Sequence, residues 1–436
     1  MKWLLRILVV IITSLYIFPV EFSALPSINT KMMMAVLGVV VFVINSILHR
    51  DQVLPRKLLT AGLCALLVSF VGLISVLFNG TNDFSYASYF VSFAVWAAAA
   101  YFVVNCIRVV HGQLSVMLVC KYLIAVAIGQ CIVAVMIDQI PAFRNAVNST
   151  IVGFASMYSA GDGLEKAGRL YGIGAALDVA GTRFCAILSI LGIMTYNSYQ
   201  AQKKTQMFFY LFLSVVLIMF GSIISRTTIL GVLFLILYFT FATNRSGTPW
   251  GFWGIILTTL CALVALVVIL YNSTPFFQEN LRFAFEGFFN YFETGEWRLR
   301  STDILRDMYV FPESLKTWVI GDGYFDEPYN VDPYYVGESR DYGMFYMGTD
   351  VGYLRFIYYF GVFGLAAFMF YFIMNMQQCI ADFPKCKWVF IALLMMNFIV
   401  WFKVATDIFC LFALFLCISK EDNDAYEDSL SDQLDI

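Results

Sequence analysis

Charge is scarce in this chain: 13% of its 436 residues are Asp, Glu, Lys or Arg, against 61% that are hydrophobic. Soluble globular domains carry roughly twice that charged fraction, so a water-soluble globule is excluded. Histidine is scarcer still, His49 and His111 being the only two. The ten cysteines lie mostly within or at the ends of apolar stretches, and the polar stretch 273–349 has none. No spacing among them resembles a zinc site or a disulfide framework, and they read as small apolar residues. An internal repeat is also missing, which argues against a transporter built from inverted halves.

Long apolar runs are what the chain has in abundance. About 17–25 such residues cross a ~30 Å hydrocarbon layer as helix. Twelve spans are expected, near 3–20, 32–48, 58–78, 88–107, 114–137, 177–198, 207–224, 227–243, 251–272, 350–375, 388–402 and 404–419. The first run lacks a small-x-small cleavage site and is read as a retained helix rather than a signal peptide. The expected fold is thus an all-α polytopic membrane protein with the lipid bilayer as partner. Residues 1–419 form a single transmembrane domain with polar loops at about 138–176 and 273–349, and 420–436 form an acidic disordered tail. Lys and Arg crowd one set of short connections (Lys2, Arg56, Lys57, Arg108, Lys203, Lys204) and nearly avoid the other set. The positive-inside rule then places both termini in the cytoplasm and both long loops outside.

Arginines break the apolar pattern on that outer side. Arg169, Arg183, Arg226 and Arg355 flank or enter spans, while Arg298, Arg300, Arg306 and Arg340 lie in the 273–349 loop. A charge at a helix centre costs about 2.5–3.5 kcal/mol, so such groups face a cavity or a partner. Several guanidinium forks at one face suit a phosphate-bearing ligand. A salt bridge between Asp178 and a neighbouring arginine, or a snorkelling Arg226, is the plainer alternative.

The 273–349 loop has two parts. Phe276 to about Tyr309 predicts an amphipathic helix at the membrane surface, continuing into Arg298, Arg300 and Asp303. Gly321 to Asp350 is rich in Tyr, Gly and carboxylates. Its rings and hydroxyls, Tyr324, Tyr334, Tyr335 and Tyr342 among them, offer the two kinds of surface that a glycan presents, against the alternative of an interfacial aromatic belt.

Four places in order resemble the bacterial O-antigen polymerase and ligase superfamily, the Wzy-type polytopic glycosyltransferases. They are Arg169 to Asp178, a glycine-rich run; Ser225-Arg226-Thr227; Arg298 to Asp303 leading to Ile320-Gly321-Asp322-Gly323; and Gly348 to Arg355 before Gly361-Val362-Phe363-Gly364. The resemblance implies a GT-C-like fold of about 12 helices in the bacterial inner membrane, with a large periplasmic loop containing short helices. It further implies polymerisation of undecaprenyl-pyrophosphate-linked oligosaccharide repeat units at the periplasmic face in surface polysaccharide or lipopolysaccharide biosynthesis. A chain-length regulator protein would be a further partner; no nucleic acid, metal or other cofactor is implied, and the outer loops hold no Asp-x-Asp. Arg169, Arg183, Arg226, Arg298 and Arg300 would bind pyrophosphate, Arg183 and Arg226 would stabilise the leaving group, and Asp350 would orient or deprotonate the acceptor hydroxyl. Ligases of the superfamily carry a histidine where Asp350 stands here, which favours a polymerase. The alternatives are a polymer ligase and, in another class, a lipid-linked oligosaccharide flippase or transporter.

Overall fold

The computed structural model describes residues 2–48, 56–152, 169–246, 249–332, 335 and 345–424. The regular secondary structure among these residues is helical, with isolated β-bridges only. Nine helices among them are long and apolar enough to cross a membrane. Of the twelve expected spans, three form shorter helices: α1 (Lys2–Ile17), α17 (Lys387–Val400) and α18 (Phe409–Leu416) have 16, 14 and 8 residues. At ~1.5 Å per residue none of these reaches ~30 Å. The chain divides into two compact units, Met1–Thr30 with Met117–Leu299 and Lys31–Val116 with Arg300–Ile436.

The first unit is organised on α7 (Leu177–Gln200), in which every residue from Ala180 to Tyr196 is buried. A helix apolar all round belongs inside a bundle. Small residues let its neighbours approach: a Cβ on Gly181 would lie 2.4 Å from Ser225 Oγ, and one on Gly231 would lie 2.9 Å from the Cys185 carbonyl. Its hydroxyls cause no polar debt, since Thr182, Ser189 and Thr195 donate back to the carbonyls of Asp178, Cys185 and Leu191. Against α7 pack α8 (Lys204–Ile224) and α9 (Ile229–Ser246). The other spanning helices of this unit are α5 (Val116–Gln139) and α10 (Pro249–Tyr271), and α6 (Pro141–Thr150) follows α5. Apart from Phe252 and Leu263, the described residues of α10 are exposed or half-buried, as suits a helix that borders lipid.

Beyond α10 the expected single amphipathic helix is instead three: α11 (Pro275–Ala284), α12 (Glu286–Thr294) and, in the second unit, α13 (Arg300–Asp307). Phe285, at φ −113° and ψ 28°, ends the first. Gly295, at φ +76°, ends the second in the left-handed conformation that glycine tolerates best.

The second unit contains α2 (Thr30–Leu48), α3 (Arg56–Asn79), α4 (Tyr89–His111), the short α14 (Leu315–Val319) and α15 (Pro328–Val331), and α16 (Gly352–Asp382), with α3 packed on α16 and α18 on α4. One end gathers basic residues that the sequence assigns to the cytoplasm. Lys57 pairs with Asp382 at 2.8 Å, and Arg108 pairs with Asp422. Asp422 also accepts from Ser419 Oγ, and Asn423 Oδ1 accepts from the Val116 amide. The first residues of the expected disordered tail are therefore anchored, while 425–436 lie outside the described residues.

At the opposite end α16 is broken. Phe360 and Gly361 leave helical geometry, Gly361 at φ +68° and ψ −173°. The freed carbonyls of Tyr358 and Tyr359 accept from the amides of Asp322 and Gly323, and Ser75 Oγ donates to Tyr359 at 2.6 Å. A Cβ on Gly361 would lie 2.1 Å from the Val319 carbonyl. The two glycine motifs, Ile320 to Gly323 and Gly361 to Gly364, are thus halves of one lock. A broken helix near hydrocarbon survives only when its loose backbone groups are satisfied in this way.

Candidate functional site

In the first unit two of the three expected membrane-face arginines meet on one aromatic ring. The Arg169 guanidinium carbon lies 4.8 Å from the Phe283 centroid and that of Arg226 lies 4.0 Å from it. Each contact contributes about 0.5–2 kcal/mol, more as water is excluded.

Local sequence places both. After Arg169 the chain bends through Gly172 and Gly174, and the buried Gln130 of α5 clasps Ile173 from both sides. Its Oε1 accepts from the Ile173 amide and its Nε2 donates to the Ile173 carbonyl, both at 2.9 Å. A Cβ on Gly174 would come within 2.6 Å of the Phe18 carbonyl, so only glycine threads here. Arg226 opens the 3-10 turn Arg226–Thr228 that joins α8 to α9 after the extended Ser225. Thr227 Oγ1 donates to Asp178 at 3.1 Å, tying this step to the first turn of α7.

Arg226 is well partnered: Nε donates to the Phe283 carbonyl at 2.9 Å, and Nη1 pairs with Glu286 at 2.6 Å. It thereby closes the C-terminal end of α11. Arg169 differs. Among the described residues it makes no ion pair, and its buried Nε has no hydrogen-bond partner. Burial, chiefly, holds its guanidinium below the usual pKa, with the nearby Asp178 carboxylate acting the other way; arginine stays charged regardless. A cation held on a ring beside a second cation, with donors to spare, can accept an anion.

Arg183 goes elsewhere. It is buried, donates from Nη1 to the carbonyl of Ile17 at the end of α1, and lies 5.4 Å from the Phe18 ring. A guanidinium on the last carbonyl of a helix is a C-terminal cap. Arg298 and Arg300 are exposed and belong to different units. The Arg298 carbonyl accepts from Asn290.

In the second unit Asp350 stands two residues before α16, within electrostatic reach of Arg355. Arg355 is buried, with Nη2 3.0 Å from both the Phe325 carbonyl and Asp326 Oδ1. Its guanidinium lies 3.7 Å and 3.9 Å from the Phe325 and Phe345 rings. It organises the loop that precedes α16, together with the buried Asp83, whose Oδ2 accepts from the amides of Phe325 and Asp326.

Of the tyrosines expected to meet glycan, Tyr334 and Tyr342 lie outside the described residues. Tyr324 is buried, and its ring packs edge-on to Tyr335 at 5.4 Å and tilted against Tyr346 at 5.5 Å. That cluster is a core rather than a free platform. Burial raises the pKa of both Tyr324 and Tyr335.

Sequence reasoning missed Phe283, Glu286 and Asp83. The spacing Phe283-x-x-Glu286, and a lone carboxylate in a short connection without lysine or arginine (79–87), were the available signals.

These features define the class, a multi-pass helical membrane protein with a half-buried arginine pair at the ends of its spans. No family profile, characterised protein or solved structure matches the chain.

Proposed function

We propose that this protein is a metal-independent glycosyltransferase that polymerises lipid-pyrophosphate-linked repeat units at the outer face of the bacterial inner membrane, its termini cytoplasmic. The observation that carries the reading is Arg169 and Arg226 on Phe283, one of them without an ion-pair partner among the described residues. In the reaction an acceptor hydroxyl attacks the anomeric carbon, the C–O bond to undecaprenyl pyrophosphate breaks, and charge accumulates on the departing diphosphate. Guanidinium groups fixed beforehand stabilise that charge without reorganising. Arg169 is the primary contact. Arg226 is the second, its charge shared between Glu286 and the ligand. Because the leaving group is already good, the acceptor proton needs only a modest base, a role for which the sequence resemblance suggests Asp350. Arg183 supports the site through α1.

The broken α16 favours one second reading, a lipid-linked oligosaccharide flippase. Transporters keep such freed carbonyls for ions or substrate, whereas here Tyr358 and Tyr359 spend theirs on Asp322 and Gly323. Deleting the gene and running surface glycan on a gel separates the readings. Loss of the ladder with one repeat unit left supports polymerase. Polymer accumulating on lipid means ligase, and inward-facing precursor accumulating means flippase.

A further inference from the structure

Within the second unit a cavity of about 250 Å³ opens among Ser85, Tyr89, Ser92, Trp96, Asp326 and Asp407. Ser92 and Trp96 lie one and two turns into the apolar span α4, so this polar hole reaches roughly 10 Å below the helix start at ~1.5 Å per residue. Polar groups at that depth need partners, and a roomy polar cavity holds water or a ligand. Two carboxylates disfavour a phosphate. A hard cation takes six or more oxygens, anchored by carboxylates, and no group of three His, Cys, Asp or Glu side chains placed to hold a metal ion occurs among the described residues. What remains is a neutral, hydroxyl-rich ring. Such a ring presents paired O–H donors for carboxylates and apolar C–H faces for aromatic side chains.

The carboxylates are held ready. Asp407 Oδ1 accepts from the Phe409 amide at 2.9 Å, which fixes its side chain at the start of α18. Asp326 Oδ1 is taken by Arg355 at 3.0 Å, while Oδ2 makes no hydrogen bond with a described residue. Asp83 grips the Phe325 and Asp326 amides and so sets the wall. On Trp96 the Lys31 ammonium lies 4.6 Å from the ring centroid, which steadies the indole.

We propose that this cavity binds one neutral sugar ring, with Asp407 and Asp326 accepting its hydroxyl protons, Ser85 and Ser92 completing the contacts, and Trp96 lying against a C–H face. That the ring belongs to the glycan acceptor rests on the function proposed above; the binding itself does not.

The test uses the full-length protein in nanodiscs and saturation-transfer NMR with methyl glucoside, N-acetylglucosamine and glucuronate. At least one of the two neutral sugars binds saturably, and glucuronate binds at least about tenfold more weakly because its charge meets two carboxylates. Asp407→Asn weakens the neutral sugar by about tenfold, the value of one hydrogen bond to a charged acceptor. Asparagine Oδ1 can still accept from the Phe409 amide, so an unchanged melting temperature shows the fold intact, and Ser92→Ala provides a second, gentler variant with several-fold loss. The proposal is overturned if neither neutral sugar saturates, if glucuronate binds equally well, if both variants bind as the parent does, or if sodium or calcium displaces the sugar. A ladder that survives gene deletion refutes the polymerase and leaves this result standing. Absent sugar binding alongside a gene-dependent ladder refutes only the cavity.

Discussion

Replacing Arg226 by lysine separates charge from geometry at the arginine pair. Lysine keeps the positive charge and can still reach Glu286, now 2.6 Å from Nη1. It loses the second directed donor, the Nε–H on the Phe283 carbonyl at 2.9 Å, and the flat face 4.0 Å from the ring centroid. A hydrogen bond from a charged donor contributes about 1.5–3 kcal/mol, part of which water restores at the end of α11. The fold should survive. Toward a diphosphate the loss is greater, because removing one preorganised donor typically slows such chemistry about 10²–10³-fold. A polymerase slowed that far adds few units before its substrate is diverted. The assay complements a deletion strain, measures protein abundance by immunoblot and reads glycan length on a gel. Arg226→Lys should be as abundant as the parent and give one or two repeat units. Arg226→Ala should also lose abundance, since Glu286 is then left half-buried without its partner. A full-length ladder from Arg226→Lys at equal abundance would refute the reasoning and leave Arg226 as a brace for α11.

Arg169→Ala should abolish polymer with little change in thermal stability, its described contact being the Phe283 face; a melting temperature that falls while the ladder persists contradicts this. Arg183→Ala should do the reverse first, costing about 2–4 kcal/mol through an uncapped Ile17 carbonyl and a void, and a purified variant that melts like the parent counts against the cap. Gly361→Ala should fail to accumulate in membranes, because φ +68° and the Val319 carbonyl leave no room for a Cβ. Burial raises the Asp326 pKa above the usual carboxylate value, with Arg355 opposing and Asp83 reinforcing the rise. The folded state therefore holds this proton longer than the unfolded chain. Stability attributable to Asp326 falls as pH rises from about 3.9 to the raised value and is level above it. Asp326→Asn should flatten that slope in pH-dependent melts, and an unchanged slope would contradict the assignment.

What the sequence revealed follows from how its signals are written. Spans are one-dimensional, so the runs at 58–78 and 177–198 become α3 and α7 with ends shifted by a few residues. Ser225-Arg226-Thr227 is legible because a cation between two apolar runs has no loop to hide in. The run ending near 419 misleads because hydropathy counts buried protein core as it counts lipid, and α18 is core on every side. The partners Phe283 and Glu286 lie more than 50 residues from Arg226, and nothing local announces such a contact. Arg183 looks like Arg169 in sequence, yet burial against α1 gives it a different task. The break in α16 is invisible as hydropathy, although its glycines are plain to see, because only the facing loop shows why they are needed.

The most direct measurement titrates inorganic pyrophosphate and undecaprenyl pyrophosphate into the nanodisc protein by calorimetry, for the parent and for Arg169→Ala. Saturable binding by the parent that weakens with salt and is at least tenfold poorer in the variant is the predicted result. Equal affinity in both proteins, or no binding of either diphosphate by the parent, would contradict the arginine pair as a diphosphate site.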